Sequence, residues 1–329
     1  MTIQIGPVKL LSPVILAPMS GVTDFPFRRL VKKFGAGLVV SEMIASEAMI
    51  RQNKKTLSRS INRAEAFPMA VQLAGCEPGV MAEAAKLNED LGAALIDINM
   101  GCPAKKVVNG EAGSALMRYE DKAANIMEAV VKAVKIPVTL KLRTGWDYNL
   151  RNAPVLAKIA EEIGIKMISV HGRTRCQFYN GSSDWKFISK VKNAVTIPVV
   201  ANGDVTTLDD VENILRLSQA NGVMIGRGVY GKPWFLSQVI EFLKTGKRIP
   251  APPLADQYFI LREHYLDMLN FYGKPRGLRI ARKHMAWYTK GLPRSAEFRT
   301  TINKIPEAYD ALNFIDQFFK NLLSKAQLS

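Results

Sequence analysis

Leu95-Ile96-Asp97-Ile98-Asn99-Met100 opens the stretch of sequence that decides the fold, and Val138-Thr139-Leu140-Lys141-Leu142-Arg143 closes it. Gly101-Cys102-Pro103 and a helical pattern over Asp121 to Val134 lie between them. In the first run Asp97 and Asn99 share one face while Ile96, Ile98 and Met100 share the other, the alternation of a strand whose polar face lines a site. In the second, Thr139, Lys141 and Arg143 oppose Val138, Leu140 and Leu142. Strand, helix and strand follow one another, and the loop after the first strand opens with a thiol. That thiol can act as an acid, a nucleophile or a filler.

The same unit recurs in both directions. Strand-like runs are read at Val14 to Pro18, Leu38 to Glu42, Met69 to Ala74, Leu95 to Met100, Val138 to Arg143, Met167 to Gly172, Val199 to Asp204 and Gly222 to Gly226. Between them, stretches such as Gly79 to Leu91, Val155 to Ile163 and Leu208 to Leu217 carry apolar residues near the 3.6 period. Alternating strands and helices imply a parallel sheet covered by helices. Eight units over residues 1–247 predict a (β/α)8 TIM barrel, which typically needs about 250 residues.

After Lys247 the texture changes. Ile249 to Leu254 is proline-rich, as a connector is, and Asp256 to Tyr272, Arg276 to Lys290 and Ile305 to Lys325 read as helices. Residues 248–329 are therefore expected to form a small all-helical C-terminal domain. In its second helix Arg276, Arg279, Lys283 and Lys290 fall near one face, with Ile280, His284, Trp287 and Tyr288 on another.

Charge supports a division of labour. The 329 residues carry 45 basic and 29 acidic side chains, a net +16. Between Lys274 and Lys304 nine basic residues face Glu297 alone, so half the excess sits in a small part of the chain. A run of charge is commonly a solvated face; one this one-sided equally suits a phosphate-binding surface. Three cysteines and three histidines are widely spread, with no CxxC and no HxxxH, which supports neither a metal site nor a disulfide framework. No run reaches the roughly 18 apolar residues of a membrane span. These features predict a cytoplasmic protein.

Active sites of such barrels form at the carboxyl ends of the strands. Alternation turns Gln72, Asp97, Asn99, Thr139, Lys141, Arg143, Ser169, His171 and Asn202 inward there, replacing apolar filling with donors and acceptors. Burying Lys141 and Arg143 side by side costs several kcal/mol each unless an anion compensates. Asp97 is the nearest candidate for that role in the protein. Asn202-Gly203-Asp204 and Gly226-Arg227-Gly228 follow the seventh and eighth strands, where barrels frequently bind phosphate. Each glycine pair alone is more often a tight turn; together with Lys141 and His171 they point to a phosphorylated cofactor. His171 alone would more often be a core histidine, and Tyr179 a packing residue.

Several motifs then match in order: Ala17-Pro18-Met19-Ser20-Gly21-Val22-Thr23-Asp24, Asp97 to Lys106, Ala112-Gly113-Ser114-Ala115-Leu116, Lys141 to Trp146, His171 to Arg175 and Ile280 to His284. Together they resemble the tRNA-dihydrouridine synthases, most nearly the bacterial B type. The resemblance implies an FMN enzyme that reduces a uridine of the tRNA D-loop, U17 in the B type, to 5,6-dihydrouridine, with NADPH as reductant. By motif position Pro18, Met19, Ser20, Gln72, Lys141, His171, Asn202, Gly203, Asp204, Gly226 and Arg227 would hold FMN. Cys102 would be the proton donor to C5 while hydride reaches C6. An acid role suits a thiol, which is mostly protonated at neutral pH.

Asn99, Arg143 and Tyr179 would meet the substrate. Lys105, Lys106, Arg276, Arg279, Arg282 and Lys283 would contact tRNA at the D-loop and elbow region. Glycines 101, 110 and 113 suggest a loop able to close over the base. A monomer with neither membrane nor metal partner is expected. Two other readings share the features: an FMN barrel oxidoreductase of a small molecule, akin to dihydroorotate dehydrogenase, and a tRNA-binding module with a vestigial flavin site. The first has no use for the basic helices; the second predicts a colourless protein.

Overall fold

A computed structural model of the chain describes residues 2–51 and 68–326. Eight parallel strands close into a barrel: β3 (Val14–Leu16), β4 (Leu38–Val40), β6 (Met69–Ala74), β7 (Leu95–Met100), β8 (Val138–Arg143), β9 (Ile168–His171), β10 (Val199–Asn202) and β11 (Gly222–Ile225). Pairing of β11 with β3 and of β4 with β6 completes the ring. Helices between the strands bury Met81, Ile126, Leu156, Ile188, Ile214 and Leu236 against the outward-facing strand residues in one continuous core. The (β/α)8 barrel read from the sequence is the fold observed.

Two departures occur near the start. A hairpin of β1 (Ile3–Ile5) and β2 (Val8–Leu10), too short to register as strands in the sequence, precedes the barrel. Its Ile3, Ile5 and Leu10 pack on Ile15, Leu38, Ala70, Leu95, Met167 and Val200 and plug the barrel from its amino-terminal end. The strand expected over Leu38 to Glu42 breaks after Val40 and resumes as β5 (Ile44–Ala45) beside β6. At the break the Ser41 hydroxyl accepts from the Gln72 N–H at 3.0 Å, supplying the acceptor that the strand no longer presents.

Register explains why polar residues gather. Gln72 pairs with Asp97, Asp97 with Thr139, Asn99 with Lys141, Arg143 with His171 and His171 with Asn202. Because neighbouring parallel strands point paired residues the same way, one alternation repeated around the ring makes a single polar layer at the carboxyl end.

Beyond Thr245 the chain runs without helix or strand to Leu254 and then forms four helices, Leu254–Tyr272, Lys274–Tyr288, Ser295–Ile302 and Ala308–Ala326. Leu261, Tyr265, Met268, Leu278, Met285, Phe298, Ile315 and Phe319 give this region a core of its own. It docks on the helix Phe25–Lys33. The Phe27 ring packs 5.5 Å from His264 and 5.7 Å from His284, and Tyr230 stacks on Trp287 at 4.0 Å. Full burial of a side chain such as Phe27 contributes roughly 1.5–3 kcal/mol. The ion pairs Arg29–Asp267 and Lys33–Glu263 lie at the exposed rim, where such pairs contribute about 0–1 kcal/mol. Aromatic packing holds the two parts together.

Candidate active site

At the carboxyl end of the barrel a cavity of about 780 Å³ is lined by Pro18, Met19, Ser20, Gln72, Asn99, Cys102, Lys141, Arg143, His171, Tyr179, Asn202, Gly203, Asp204, Gly226 and Arg227. All twelve residues read as catalytic or cofactor-binding, and all three read as substrate-binding, meet in this one space.

One side is a closed amide and carboxylate relay. The Gln72 side chain donates to Asp97 at 2.7 Å and accepts from Asn99 at 2.8 Å, and Thr139 donates to Asp97 at 2.6 Å. Asp97 thus spends both oxygens on neutral donors and makes no direct ion pair with Lys141 or Arg143; it opposes the Lys141 charge through space only. Burial pushes its carboxyl up, while Thr139, Gln72 and then Lys141 oppose that rise.

Asn99 faces two ways. Its amide carbonyl accepts from the Gly101 N–H at 3.1 Å and from the Cys102 N–H at 2.9 Å, so the strand end fixes the start of the thiol loop. The Cys102 carbonyl in turn accepts from the Ser114 N–H at 3.1 Å and hydroxyl at 2.8 Å. Gly113, at φ +60°, approaches so closely that a Cβ there would lie 2.9 Å from the Cys102 carbonyl oxygen. Of the glycines read as a closing loop, Gly113 serves close packing here, and both backbone polar groups of Cys102 are tied down. Its thiol sits half-exposed at the cavity edge.

Lys141 has no ion-pair or hydrogen-bond partner among the described residues. Burial, and after it the nearby Arg143, push its ammonium down to about 8. His171 is held well below the usual histidine range by burial first and then by Lys141, Arg143, Arg173 and Arg227. It is a neutral imidazole in a ring of cations. Asp204 offsets part of that charge, accepting from both terminal nitrogens of Arg173 at 2.8 and 2.7 Å and from Arg227 at 3.2 Å. The Asp204 carboxylate is therefore a brace between loops. Backbone N–H groups of Gly203, Asp204, Arg227 and Gly228 donate to no acceptor among the described residues. With Arg227 they are donors available to an anion at the place where barrels frequently bind phosphate. Gly203, at φ +127°, lies where a Cβ would come 2.9 Å from the His171 ring.

With that geometry in place, comparison with known proteins is direct. The family model described as dihydrouridine synthase (Dus) matches residues 15–324. The chain belongs to the dihydrouridine synthase family. A probable tRNA-dihydrouridine synthase of Rickettsia bellii is 58% identical over 324 residues, covering 98% of this chain and 99% of that protein. The tRNA-dihydrouridine synthase B of Xanthomonas axonopodis pv. citri is 52% identical, covering 94% of each, and that of Pseudomonas aeruginosa 46% identical, covering 96% of each.

Within this family member the remaining residues divide sharply. Arg143 is fully buried and donates to the carbonyls of Gly101 at 2.8 Å, Thr174 at 2.8 Å and Phe178 at 2.7 Å. Its Nε and one terminal nitrogen hold the thiol loop to the loop after β9, at the wall of the cavity. Burial pushes its guanidinium down to about 10. Tyr179 is exposed at the mouth, its ring 5.5 Å from the Arg143 guanidinium carbon and 5.0 Å from that of Arg227.

Lys105 and Lys106 are exposed at the start of the short helix Lys105–Asn109, directly after Cys102. Arg276 and Arg279 are exposed on Lys274–Tyr288. Arg282, expected to face RNA, turns inward and donates to the Ile305 carbonyl at 2.8 Å. Lys283 is half-buried and donates to the Gly21 carbonyl, whose own N–H donates to Glu42. The buried stripe of this helix is Gly277, Leu278, Ala281, His284, Met285 and Tyr288.

Arg173 is the functional residue missed in the sequence. It lies two positions beyond inward-facing His171, so continuing the same alternation past the strand end identifies it. Among the described residues no cluster of His, Cys, Asp or Glu is arranged to hold a metal ion, and no helix is long and apolar enough to cross a membrane.

Proposed function

We propose that this protein reduces a uridine of the tRNA D-loop, U17 by likeness to the B type, to 5,6-dihydrouridine, using FMN and NADPH. The observation that carries this reading is Cys102, fixed by Asn99 at the edge of a cavity whose far side offers donors to a phosphate. The residues present suit FMN. Free N–H groups at 203–204 and 227–228 and the Arg227 guanidinium would take its phosphate. Unpartnered Lys141 and the remaining amide N–H groups of Gln72 and Asn99 would meet the polar edge of its ring system.

A bound, reduced FMN would supply the hydride to C6 of the uracil. Cys102 donates the proton to C5 and is later reprotonated from solvent, so one hydride and one proton add across the double bond. Asn99 and Arg143 hold the thiol in place for that transfer by anchoring its loop at Gly101 and Cys102. Neutral His171 neither adds to the cationic surroundings nor competes with Cys102 as an acid. Since the base must leave its stack to enter the barrel, binding energy comes from phosphate contacts outside it, at Lys105, Lys106, Arg276 and Arg279. Residues 248–329 contribute the last two as a tRNA-binding domain.

The test is to map dihydrouridine in tRNA from cells lacking the protein. Loss of the modification at position 17 is expected; an unchanged tRNA would overturn the reading.

A further inference from the structure

Across the barrel from the helical domain, three loops bring two arginines onto one indole beside the active-site cavity. Trp146 follows β8. Arg118, from the turn Gly113–Arg118 after β7, lies with its guanidinium carbon 4.2 Å from the Trp146 ring centre. Arg175, from the loop after β9, lies 4.7 Å from the same centre. It also lies 4.8 Å from the ring of Phe178, which lines the cavity. The stack is thus continuous with the active site.

Neither guanidinium has a carboxylate partner among the described residues, and Arg175 Nε is buried without any hydrogen-bond acceptor. The acids nearest Arg118 hydrogen-bond to other groups: Glu111, which also feels the Arg118 charge, to Lys122, Glu120 to Asn152, and Asp147 to the backbone of its own turn. Asp121 sits at the start of the helix Glu120–Ala133, where a carboxylate favours the helix dipole. Stacking on the indole fixes the guanidinium planes and leaves their edges as donors, a pre-organised arrangement that suits phosphate oxygens. In the ring of strands β7, β8 and β9 lie opposite β3, and the helical domain docks on the helix that follows β3.

We propose that Arg118, Trp146 and Arg175 form a grip for backbone phosphates of the RNA strand carrying the target base. Arg118 and Arg175 take the phosphates, and Trp146 is a positioning residue that sets their planes. RNA then spans the mouth, held on one side by the helical domain and on the other by this grip. The inference rests on the RNA-reducing activity proposed above.

The experiment compares flavin-loaded wild type with the double variant Arg118→Gln, Arg175→Gln, measuring affinity for a tRNA transcript across a salt series. Losing two single-strand phosphate contacts should make the slope of log affinity against log salt shallower by about 1.4 and weaken binding about tenfold or more. NADPH should still reduce the flavin at the wild-type rate. An unchanged affinity and slope in a variant that retains flavin overturns the grip. Should the double variant lose its flavin, Arg118→Gln alone decides, because that side chain is exposed: a slope shallower by about 0.7 supports the grip and an unchanged one overturns it. Wild type that binds tRNA and makes dihydrouridine while the variants match it removes the grip only. Wild type that does neither removes the parent reading as well.

Discussion

The side-chain carbonyl of Asn99 accepts the backbone N–H of Cys102 at 2.9 Å, so the next-to-last residue of β7 sets where the thiol begins. Replacing Cys102 and replacing Asn99 should therefore damage the same step in different ways. Cys102→Ala is expected to keep flavin and tRNA binding and lose product by about two orders of magnitude or more, as loss of a positioned general acid does. Single-turnover dihydrouridine yield checks it, and a wild-type yield would remove the acid assignment. Asn99→Ala keeps the thiol but frees its loop, so kcat should fall about tenfold or more with a smaller change in KM.

Arg143 supports the same loop from beneath. Arg143→Met would leave the carbonyls of Gly101, Thr174 and Phe178 without their donor, and each buried unsatisfied group costs about 1–3 kcal/mol. Chemical denaturation should show a loss of several kcal/mol in total. A variant as stable as the parent would mean that water or a neighbouring donor replaces the guanidinium.

Lys141 gives a pH signature. With its ammonium pushed down to about 8 before any anion binds, it carries its charge below that pH and loses it above. Flavin affinity should decline as pH rises through about 8. In Lys141→Met the affinity should be weaker and flat over the same range, measured by flavin fluorescence quenching. Parallel pH profiles would place the ring contact elsewhere.

Asp24 gives the opposite kind of signature, in stability. It caps the helix Phe25–Lys33 by accepting from the Phe27 N–H at 3.0 Å, and it accepts from Tyr272 across the domain junction at 2.9 Å. Burial pushes its carboxyl up to about 6. Between an unfolded value of about 3.9 and that figure the folded chain binds the extra proton, so stability falls as pH rises through this window. The loss is on the order of 3 kcal/mol and is complete above about pH 6. Asp24→Asn keeps the cap and should remove this slope; unfolding curves between pH 4 and 7 measure it.

Strand alternation made most of the site legible. Gln72, Asn99, Lys141, Arg143, His171 and Asn202 face inward because period-2 patterning and parallel register leave no alternative once the barrel closes. What alternation does not carry is where a long side chain ends. Arg143 points inward as read, yet its donors meet carbonyls from two other loops, which no local pattern encodes. Arg282 likewise lies on the helix as expected, and the acceptor that draws it inward, Ile305, belongs to a later turn. Glycine content near Cys102 does not distinguish a hinge from a close contact, and Gly113 proves to be the latter. The opening hairpin escaped because two strands of three residues show too little alternation to register.

That hairpin has a kinetic consequence. Ile3, Ile5 and Leu10 pack over the amino-terminal end of the barrel, so among the described residues the cavity opens at the carboxyl end, beside Tyr179. On the function proposed above, the nicotinamide donor and the target base of tRNA would both reach the flavin through that end and so compete for it. That competition predicts double-displacement kinetics, with parallel lines in double-reciprocal plots and mutual inhibition at high concentration of either partner; intersecting lines would show that both bind at once.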